Sequence, residues 1–355
     1  MPVTLTRLAD LAAHRFDDII DVRAPAEYAE DHLPGAISLP VLDDAERARV
    51  GTIYKQVNPF TARKLGAALV AQNAARHLQG PLADKPGGWR PLVYCWRGGQ
   101  RSGSFAAILA QIGWRVETLA GGYKAWRKLV LEALDTLPGS LRLVLLDGNT
   151  GSAKTELLAH LATRGVQVLD LESLANHRGS LFGAMGPQPG PKAFETRIAV
   201  ALAALDPSRP VVVEAESARV GDRMLPPALW HAMTRAPRIE LTAPLPERAA
   251  YLARAYGDVA ADTGRLLATL DRLRPYHPAD RIAEWQALAE ACAFEPLAAA
   301  LMQHHYDPRY RKHRARVAVP VTPLPAPSLA PDALPALAAA IAAETARLLP
   351  EEPCR

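Results

Sequence analysis

Apolar and polar positions alternate on two length scales along residues 1–127. Short apolar runs, as long as a buried strand needs, alternate with stretches in which apolar residues recur at helical spacing. The predicted strands are 16–23, 36–41, 91–95 and 116–121. The predicted helices are 25–32, a long helical stretch over 47–78, and 102–113. This alternation predicts a parallel sheet with helices on both faces.

A second alternation follows the helix at 123–137, which the Pro-Gly-Ser break at 138–140 ends. Strand, helix and strand then succeed one another at the length of a βαβ unit, and another apolar strand comes later. These elements are 141–148, 153–165, 166–171 and 210–217. Residues 245–303 are alanine-rich and read as helical.

The pattern predicts an α/β protein with two successive parallel-sheet domains. Residues 320–335 are rich in proline and predict a surface tether before a short C-terminal amphipathic helix. The predicted boundaries are a first domain over 1–127, a connecting helix and linker over 128–140, a second domain with a helical extension over 141–320, and a tether with the last helix over 321–355.

Composition adds little to this division. The chain has 355 residues, a net charge of +4 and no apolar run long enough to cross a membrane, and we expect a cytoplasmic protein with no membrane partner. Its three cysteines, Cys95, Cys292 and Cys354, are too few and too scattered for a disulfide framework or a zinc site. The charge permits a nucleic-acid partner without requiring one.

The most reactive setting for a cysteine is YCWRGGQRSG, residues 94–103. Cys95 ends a predicted strand, and a helix begins near Ser102, so inward-facing backbone N–H groups and the helix N-terminus favour a negative charge there. Glycines permit the required backbone conformations, and two arginines add positive charge. We predict a depressed thiol pKa for Cys95. The supporting residues are Arg97, Gly98, Gly99, Arg101 and Ser102.

A second anion-binding loop is GNTGSAKT, residues 148–155. It follows an apolar strand, precedes a helix, and fits the Walker A pattern except at Ala153, where glycine is usual. The methyl group is tolerable at negative φ, whereas positive φ would weaken phosphate binding. Lys154 would reach a terminal phosphate, and the Thr155 hydroxyl would hold magnesium. The remaining cradle residues are Gly148, Asn149, Thr150, Gly151 and Ser152.

Four further residues lie where ligands bind in α/β proteins. Residues 170–195 form a polar stretch, rich in glycine and proline, that directly follows a strand, and such a long loop is usually functional or disordered. Glu214 ends another strand at a position from which an acid can face a metal, or can simply close a buried strand. The candidates are Asp170, His177, Arg178 and Glu214.

Three segments of the first domain resemble rhodaneses. They are IDVRAPAEYAEDHLPGAISLP (20–40), YCWRGGQRSG (94–103) and LAGGYKAWR (119–127). The resemblance covers nearly all of residues 5–127 and implies a rhodanese-like fold whose cysteine carries a persulfide. It also implies structural roles, not catalytic ones, for Asp21 and Arg23.

Five motifs in order resemble the tRNA 2-selenouridine synthase family, in which a rhodanese domain is fused to a P-loop domain. They are VGTIYKQ (50–56), CWRGGQRS (95–102), GNTGSAKT (148–155), LANHRGSLFG (174–183) and VVVEAESARVG (211–221). This resemblance implies a transferase that acts on wobble 2-thiouridine in the tRNA anticodon loop. The implied co-substrates are selenophosphate and geranyl diphosphate, with S-geranyl-2-thiouridine as the intermediate.

The same resemblance assigns roles to the two loops. Cys95 would serve selenium transfer as nucleophile or transient carrier, and Arg97 and Arg101 would bind selenophosphate or stabilise charge on the loop. We further hypothesise that the P-loop binds the diphosphate of geranyl diphosphate, with Lys154 and magnesium at Thr155 stabilising the leaving group. No tightly bound prosthetic group is expected, and the enzyme that produces selenophosphate is an expected partner.

A tRNA substrate also requires a basic track. Candidate segments are 124–128, 219–223 and 309–316. Tyr306 and Tyr310, at the last segment, could stack on unpaired bases. A solvated charged helix end is the alternative interpretation of the last segment. The expected tRNA contacts are Lys124, Arg127, Arg219, Arg309, Tyr310, Arg311 and Arg314.

Three alternative functions remain open from the residues. One is a rhodanese-type sulfurtransferase with an attached P-loop ATPase or kinase. Another is a cysteine phosphatase, because the C-x5-R spacing also fits that class, with Asp31 or Asp43 as its general acid. The third is a non-catalytic binding module whose P-loop is degraded at Ala153, although the complete setting of Cys95 argues against it.

Overall fold

A computed structural model describes residues 2–183, 185–257, 262–314 and 319–350. The chain divides into two compact units, of which the first comprises 1–134 with 189–204 and the second comprises 135–188 with 205–355. The strands are β1 (Pro2–Val3), β2 (Asp18–Asp21), β3 (Ala36–Ser38), β4 (Pro91–Tyr94), β5 (Glu117–Leu119), β6 (Arg142–Gly148), β7 (Gln167–Leu169), β8 (Pro210–Glu214), β9 (Arg219–Val220), β10 (Arg223–Met224), β11 (Arg238–Thr242) and β12 (Val321–Pro325).

Helices connect these strands, and two 3₁₀ turns (Leu137–Ser140 and Arg274–Tyr276) and a π-helical turn (Met302–Tyr306) interrupt them. The α-helices are α1 (Asp10–Ala13), α2 (Pro25–Glu30), α3 (Asp44–Gln56), α4 (Pro59–Gln79), α5 (Gln100–Gln111), α6 (Gly122–Thr136), α7 (Lys154–Thr163), α8 (Leu171–Ala175), α9 (Pro191–Ala203), α10 (Pro227–Arg235), α11 (Leu245–Ala255), α12 (Thr263–Asp271), α13 (Ala279–Glu290), α14 (Phe294–Leu301), α15 (Asp307–Arg314) and α16 (Leu334–Leu348). Within the described residues, no helix is both long and apolar enough to cross a membrane.

The first unit contains a five-stranded parallel sheet in the order β1-β5-β4-β2-β3. Its strands are short, and the apolar residues of the central strands β2 and β4, such as Ile20, Leu92 and Val93, are fully buried, as expected for a sheet covered on both faces. The long helical stretch predicted from the sequence is two helices, because Asn58 has an extended backbone and Pro59 begins α4. Asn58 caps α4 by accepting a hydrogen bond from the Thr61 amide at 2.7 Å.

A buried ion pair ties β2 to its neighbours. Asp21 and Arg23 are fully buried and pair at 2.6 Å, and the Tyr94 hydroxyl donates to Asp21 at 2.8 Å. Arg23 also donates to the Asp31 carbonyl at 2.6 Å and lies over the Tyr123 ring, 4.0 Å from its centroid. The geometry agrees with the structural roles that the resemblance implied for Asp21 and Arg23.

The second unit contains another five-stranded parallel sheet, in the order β12-β11-β6-β8-β7. The described chain therefore has the α/β fold class with parallel sheets that the sequence predicted. The helix α16 also forms as predicted, and it buries Leu334, Ala338 and Ile341 against the core that includes Leu158 of α7 and Leu161.

The interpretation of the proline-rich segment as a surface tether is wrong. Residues 321–325 form the edge strand β12, which pairs in parallel with β11 over five positions. Proline lacks the amide hydrogen that an inner strand must donate on both sides, so an edge is where a strand containing Pro323 and Pro325 can lie. Ala326 and Leu329, which follow the strand, are buried in the core of the second unit.

We predict that Arg23→Ala strongly destabilises the first unit. It leaves the buried Asp21 carboxylate without its counter-charge, and breaking such a pair costs about 3–5 kcal/mol. Urea unfolding followed by tryptophan fluorescence measures the change in unfolding free energy. Arg7→Ala, which removes an arginine with 80% of its side chain exposed, is the control and should change stability little. Equal effects of the two substitutions would contradict a structural role for Arg23.

Candidate active sites in the two units

Cys95 lies at the end of β4, at the base of the loop that leads into α5. Its thiol is free, and the residue is 3% exposed. The Ser102 hydroxyl donates to Cys95 Sγ at 3.2 Å, and the backbone amides of Arg97 and Ser102 also donate to the sulfur. The loop therefore surrounds the sulfur with hydrogen-bond donors, which stabilise a thiolate.

These donors set the protonation state of the thiol. Burial alone would raise the pKa of Cys95, because a thiolate is poorly solvated inside a protein. The Ser102 hydroxyl and amide, the Arg97 amide and the charge of Arg101 more than offset burial, and the pKa lies below the usual range for cysteine. This direction confirms the depressed thiol pKa expected from the sequence.

The N-terminus of α6 holds the Cys95 loop in place. The Tyr123 amide donates to the Cys95 carbonyl at 2.9 Å, and the Lys124 amide donates to the Trp96 carbonyl at 3.0 Å. Gly122 has φ +57°, and a Cβ at this position would lie 2.2 Å from the Cys95 carbonyl oxygen. Gly98 has φ +65°, and a Cβ at this position would lie 2.5 Å from the Leu119 carbonyl oxygen. Any side chain at these two positions would push the loop and the helix apart.

The two arginines of the loop have different surroundings. Arg97 is exposed, so its guanidinium is accessible to an anionic substrate. Arg101, at the start of α5, donates to Glu27 at 2.8 Å, and Glu27 also accepts from Arg47 at 3.0 Å. The charge of Arg101 is therefore paired, and it also lowers the pKa of Cys95, in agreement with a role in stabilising charge on the loop. Binding of an anionic substrate by Arg101 stays a prediction. Gly99 is the residue that precedes α5, and Ser102 is buried one turn into it.

The two carboxylates considered as phosphatase general acids have structural partners. Asp43 caps α3 by accepting from the Glu46 amide at 2.7 Å. Asp31 is buried and accepts from the hydroxyls of Tyr123 and Thr196 at 2.8 and 2.7 Å. Burial raises the pKa of Asp31, although these hydrogen bonds oppose the shift. Neither arrangement supports the phosphatase alternative.

The predicted P-loop connects β6 to α7 and has the strand–loop–helix form that its motif requires. Lys154 Nζ donates to the Gly148 carbonyl at 2.9 Å, and the Ser152 hydroxyl donates to the Asn149 carbonyl at 2.7 Å. Ala153 has φ +57°, in the left-handed region, so the favourable negative-φ case considered from the sequence does not apply. Its methyl group is buried in the core beside Leu157, and this burial offsets part of the backbone strain.

A buried ion pair braces the outer side of the P-loop. Arg248 of α11 pairs with Asp307 of α15 at 2.8 Å and donates to the Thr150 carbonyl at 3.2 Å. The Asn149 side chain donates to Asp307 at 3.0 Å. Gly151, with φ +83°, packs against the backbone of α11, where a Cβ would lie 2.9 Å from the Arg248 carbonyl. The loop is thus fixed by helices that lie far away in sequence.

Buried carboxylates surround the lysine and threonine of the P-loop. The Thr155 hydroxyl donates to Glu172 at 2.8 Å, and Glu216 bonds Glu172. Burial raises the pKa of Glu172, and the neighbouring charge of Glu216 adds to this shift. Burial likewise raises the pKa of Glu216, against the charge of Lys154. For Lys154, burial opposes the charged form, but Tyr310 and the acids raise the pKa above its ordinary value.

Of the four other candidates of the second domain, Asp170 and Arg178 line the P-loop cavity, whereas His177 and Glu214 are not among its lining residues. Arg178 lines the P-loop cavity, with its guanidinium 4.9 Å from the centroid of the Tyr256 ring, and Asp170 lines the same cavity while capping α8. His177 accepts from the Gly179 amide at 3.1 Å, and burial lowers its pKa. Glu214 is buried and accepts from the Glu172 amide at 2.7 Å, while its other oxygen has no hydrogen-bond partner.

Sequence reasoning missed four residues of this site, namely Glu172, Glu216, Arg248 and Asp307. Glu172 lies in the loop that the sequence singled out, and Glu216 follows Glu214 by two positions. An acid repeated at that spacing was an available signal. No local signal identifies Arg248 or Asp307, because their pairing depends on the packing of α11 against the end of the helical extension.

The predicted tRNA contacts are dispersed over both units. Lys124 and Arg311 are exposed, Arg219 is exposed but paired with Asp222 at 2.5 Å, and Arg127 is mostly buried and paired with Glu195. Arg309 hydrogen-bonds buried His305 at 2.5 Å and lies over Tyr276. Tyr310 lines the P-loop cavity, and its stacking on a base stays a prediction. The Arg314 side chain lies outside the described residues.

An apolar cavity adjoins the P-loop. It has a volume of about 80 Å³ and is open to solvent. Its walls come from α11, α12 and α14 with the π-helical turn, and include Phe182, Leu266, Leu297 and Leu301. It shares wall residues with the P-loop cavity, namely Thr150, Ser180, Leu252, Tyr256 and Tyr306. The P-loop cavity and the apolar cavity are therefore direct neighbours in the second unit.

Two residues beside the P-loop could coordinate a magnesium ion. Thr155 and Glu172 supply the oxygen atoms that a hard cation prefers, and they already lie within hydrogen-bond distance of each other. In the described part of the chain, no cluster of three or more His, Cys, Asp or Glu residues could hold a metal ion. A cation at this position would therefore depend on oxygen atoms of the bound phosphates as further ligands.

Two family models match the chain and define its class of protein. Residues 4–129 match the model of the rhodanese-like domain, and residues 141–268 match the model of the tRNA 2-selenouridine synthase AAA domain. The chain thus combines a rhodanese-like domain with a P-loop domain of the AAA type.

Relatives of this combined architecture are named tRNA 2-selenouridine synthase. The chain is 40% identical to one from Nitrosomonas europaea, over 65% of this chain and 61% of the relative. It is 39% identical to one from Aeromonas salmonicida, over 70% and 67%. A relative from Chromohalobacter salexigens is 34% identical over 87% of this chain and 91% of its own length. The chain belongs to the tRNA 2-selenouridine synthase family.

We predict that Ser102→Ala raises the pKa of the Cys95 thiol by about one unit. A hydrogen bond to a charged acceptor contributes about 1.5–3 kcal/mol, and one pKa unit corresponds to about 1.4 kcal/mol. The pH dependence of alkylation by iodoacetamide measures this pKa. Ser104→Ala, an exposed position on the same helix, is the matched control. An unchanged profile in Ser102→Ala would show that the hydroxyl does not stabilise the thiolate.

Proposed function

We propose that this protein is a tRNA-modifying transferase that converts wobble 2-thiouridine to 2-selenouridine. Its relatives are named for that product, and family membership supports the same activity here. The conversion proceeds in two steps, through S-geranyl-2-thiouridine made from geranyl diphosphate, with selenophosphate as the selenium donor. A cytoplasmic tRNA is the partner, and the selenophosphate-producing enzyme supplies the second co-substrate.

The observation that carries this proposal is the junction of the P-loop with an apolar cavity. A nucleotide would present a ribose and a polar base next to its phosphates, whereas this cavity is walled by Leu266, Leu297 and Phe182. A prenyl diphosphate has the matching form, a charged head with a branched hydrocarbon tail. Burial of that tail removes apolar surface from water, which contributes about 25 cal/mol per Å².

The first step joins sulfur to carbon. The thiouridine sulfur attacks the terminal carbon of the geranyl chain, the C–O bond breaks, and the diphosphate leaves with the bonding electrons while the base loses its N3 proton. Lys154 and the amides of the P-loop neutralise charge that develops on the leaving diphosphate. Magnesium, held by Thr155 and Glu172, would supply further positive charge on the same oxygens.

The second step exchanges sulfur for selenium. The Cys95 thiolate acts as nucleophile at C2 of the base, and the carbon–sulfur bond to the geranylthiolate breaks, because this thiol is the group whose setting favours the anion. The selenium of selenophosphate then attacks C2, and the bond from C2 to Cys95 breaks, which returns the thiolate. Water cleaves the phosphorus–selenium bond, so that orthophosphate leaves and selenium remains on the base. The exposed guanidinium of Arg97 binds the phosphate end of selenophosphate.

A product analysis separates the two steps. The protein is incubated with tRNA containing 2-thiouridine, geranyl diphosphate and selenophosphate, and the digested nucleosides are weighed by mass spectrometry. We expect selenouridine from the wild type, S-geranyl-thiouridine accumulating with Cys95→Ala, and a loss on the order of 100-fold in both products with Lys154→Ala. Lys192→Ala, an exposed lysine, is the control. Unmodified thiouridine from every protein would refute the proposed activity, and thiosulfate sulfurtransfer would then be assayed.

A substitution in the wall of the apolar cavity tests which ligand the P-loop binds. Ala298→Phe fills part of the cavity, so the KM for geranyl diphosphate should rise on the order of 10-fold while inorganic diphosphate binds unchanged. Ala299→Phe changes the neighbouring position, which does not line the cavity. Protection of the P-loop from proteolysis by ATP, but not by geranyl diphosphate, would contradict the assignment.

A further inference from the structure

One family motif has no role in the two sites described above. VGTIYKQ, residues 50–56, lies on α3, and no residue of this helix is buried. Val50 packs against the core of the first unit, but the core does not account for the exposed residues of the motif. Tyr54, near the end of the helix, is 56% exposed. An exposed aromatic side chain among other exposed residues indicates an interaction surface.

The motif forms one wall of a large cleft in the first unit. The cleft lies between α3, α4 and the start of α5, has a volume of about 880 Å³ and is open to solvent. Six motif residues line it, namely Val50, Gly51, Thr52, Tyr54, Lys55 and Gln56. The motif therefore forms the wall of an open cleft that a binding partner can enter.

The charge of the cleft is of one sign. Its lining contains the cations Arg47, Lys55, Arg63 and Arg101 and no carboxylate. Glu27 neutralises Arg47 and Arg101 from behind, whereas Lys55 and Arg63 belong to the exposed rim. Arg63 Nε donates to the Pro59 carbonyl at 3.2 Å, which holds this side chain at the start of α4.

Apolar side chains accompany these cations at the turn between the two helices. Val57 is 66% exposed and Phe60 is 73% exposed, on either side of the Asn58 cap. Cations alternating with exposed aromatic rings are the combination that binds single-stranded nucleic acid, since the rings stack on bases while the cations contact phosphates.

The cleft also reaches the sulfur site. Gln100 and Arg101 are among its lining residues. Both belong to the first turn of α5, directly after the loop that surrounds Cys95. A strand held along α3 and α4 would therefore end beside the reactive loop. This continuity favours the substrate of that loop as the occupant over an unrelated protein.

We propose that the α3–α4 cleft binds the single-stranded anticodon loop of the tRNA substrate. Lys55 and Arg63 contact its phosphates, and Tyr54 stacks on an unpaired base. This inference rests on the proposed function, because that function supplies the RNA. It adds a binding surface of the rhodanese-like unit to the basic segments predicted from the sequence.

Fluorescence anisotropy with labelled tRNA containing 2-thiouridine tests the cleft. Lys55→Gln and Arg63→Gln should each weaken binding several-fold and each lower the slope of log affinity against log salt by about 0.7. Tyr54→Ala should weaken binding on the order of 10-fold at every salt concentration. Arg115→Gln, an exposed arginine of the same unit outside the cleft, is the matched control and should bind as the wild type does.

The outcomes separate the cleft from the activity. Unchanged rates of Cys95 alkylation in each variant establish that the first unit remains folded. Wild-type affinity and salt slope in the three cleft variants would overturn the cleft assignment while leaving the proposed activity intact. Loss of affinity for the purified selenophosphate-producing enzyme, with tRNA binding retained, would assign the cleft to a protein partner and would equally overturn the inference. Absence of tRNA binding by the wild type would refute both proposals.

Discussion

The sulfur site depends on a close backbone contact that only glycine permits. The first turn of α6 lies directly against the Cys95 loop, and its Tyr123 and Lys124 amides bond the loop carbonyls. Gly122 leaves no room for a Cβ at this contact. Because the loop is fixed from behind, the amides of Arg97 and Ser102 can point at the sulfur without any further ordering when the thiolate forms. The buried pair of Asp21 and Arg23 supports the same region, since Arg23 packs on Tyr123.

The P-loop relies on distant residues in a comparable way. Arg248 and Asp307 fix Asn149 and Thr150 from outside, and the burial of the Ala153 methyl group contributes about 0.8 kcal/mol against a left-handed backbone that costs about 1–2 kcal/mol. The substitution of glycine by alanine is therefore compatible with a formed loop. It removes the main reason for regarding this domain as a degraded, non-catalytic module.

Periodicity and motifs were sufficient for the fold class, the two sheets, the Cys95 loop and the P-loop, because each of these depends on neighbours in sequence. The sequence was insufficient where contacts between residues far apart in the chain determine the structure. The segment containing Pro323 and Pro325 has the composition of a linker, and only its pairing with β11 makes it an edge strand. The position of Tyr310 beside the P-loop likewise depends on the packing of its helix and has no signal in the sequence. Glu172 and Glu216 could not be paired from the sequence, because one follows β7 and the other follows β8.

The protonation of these carboxylates bears on the ligand of the P-loop. Fully ionised Glu172 and Glu216 would repel a diphosphate placed over Lys154. Burial raises the pKa values of both acids, which favours their neutral forms. The positive charge of Lys154 is favoured at the same time, because its pKa is raised. These directions reduce the negative charge beside the lysine, as the anionic ligand proposed for the P-loop would require.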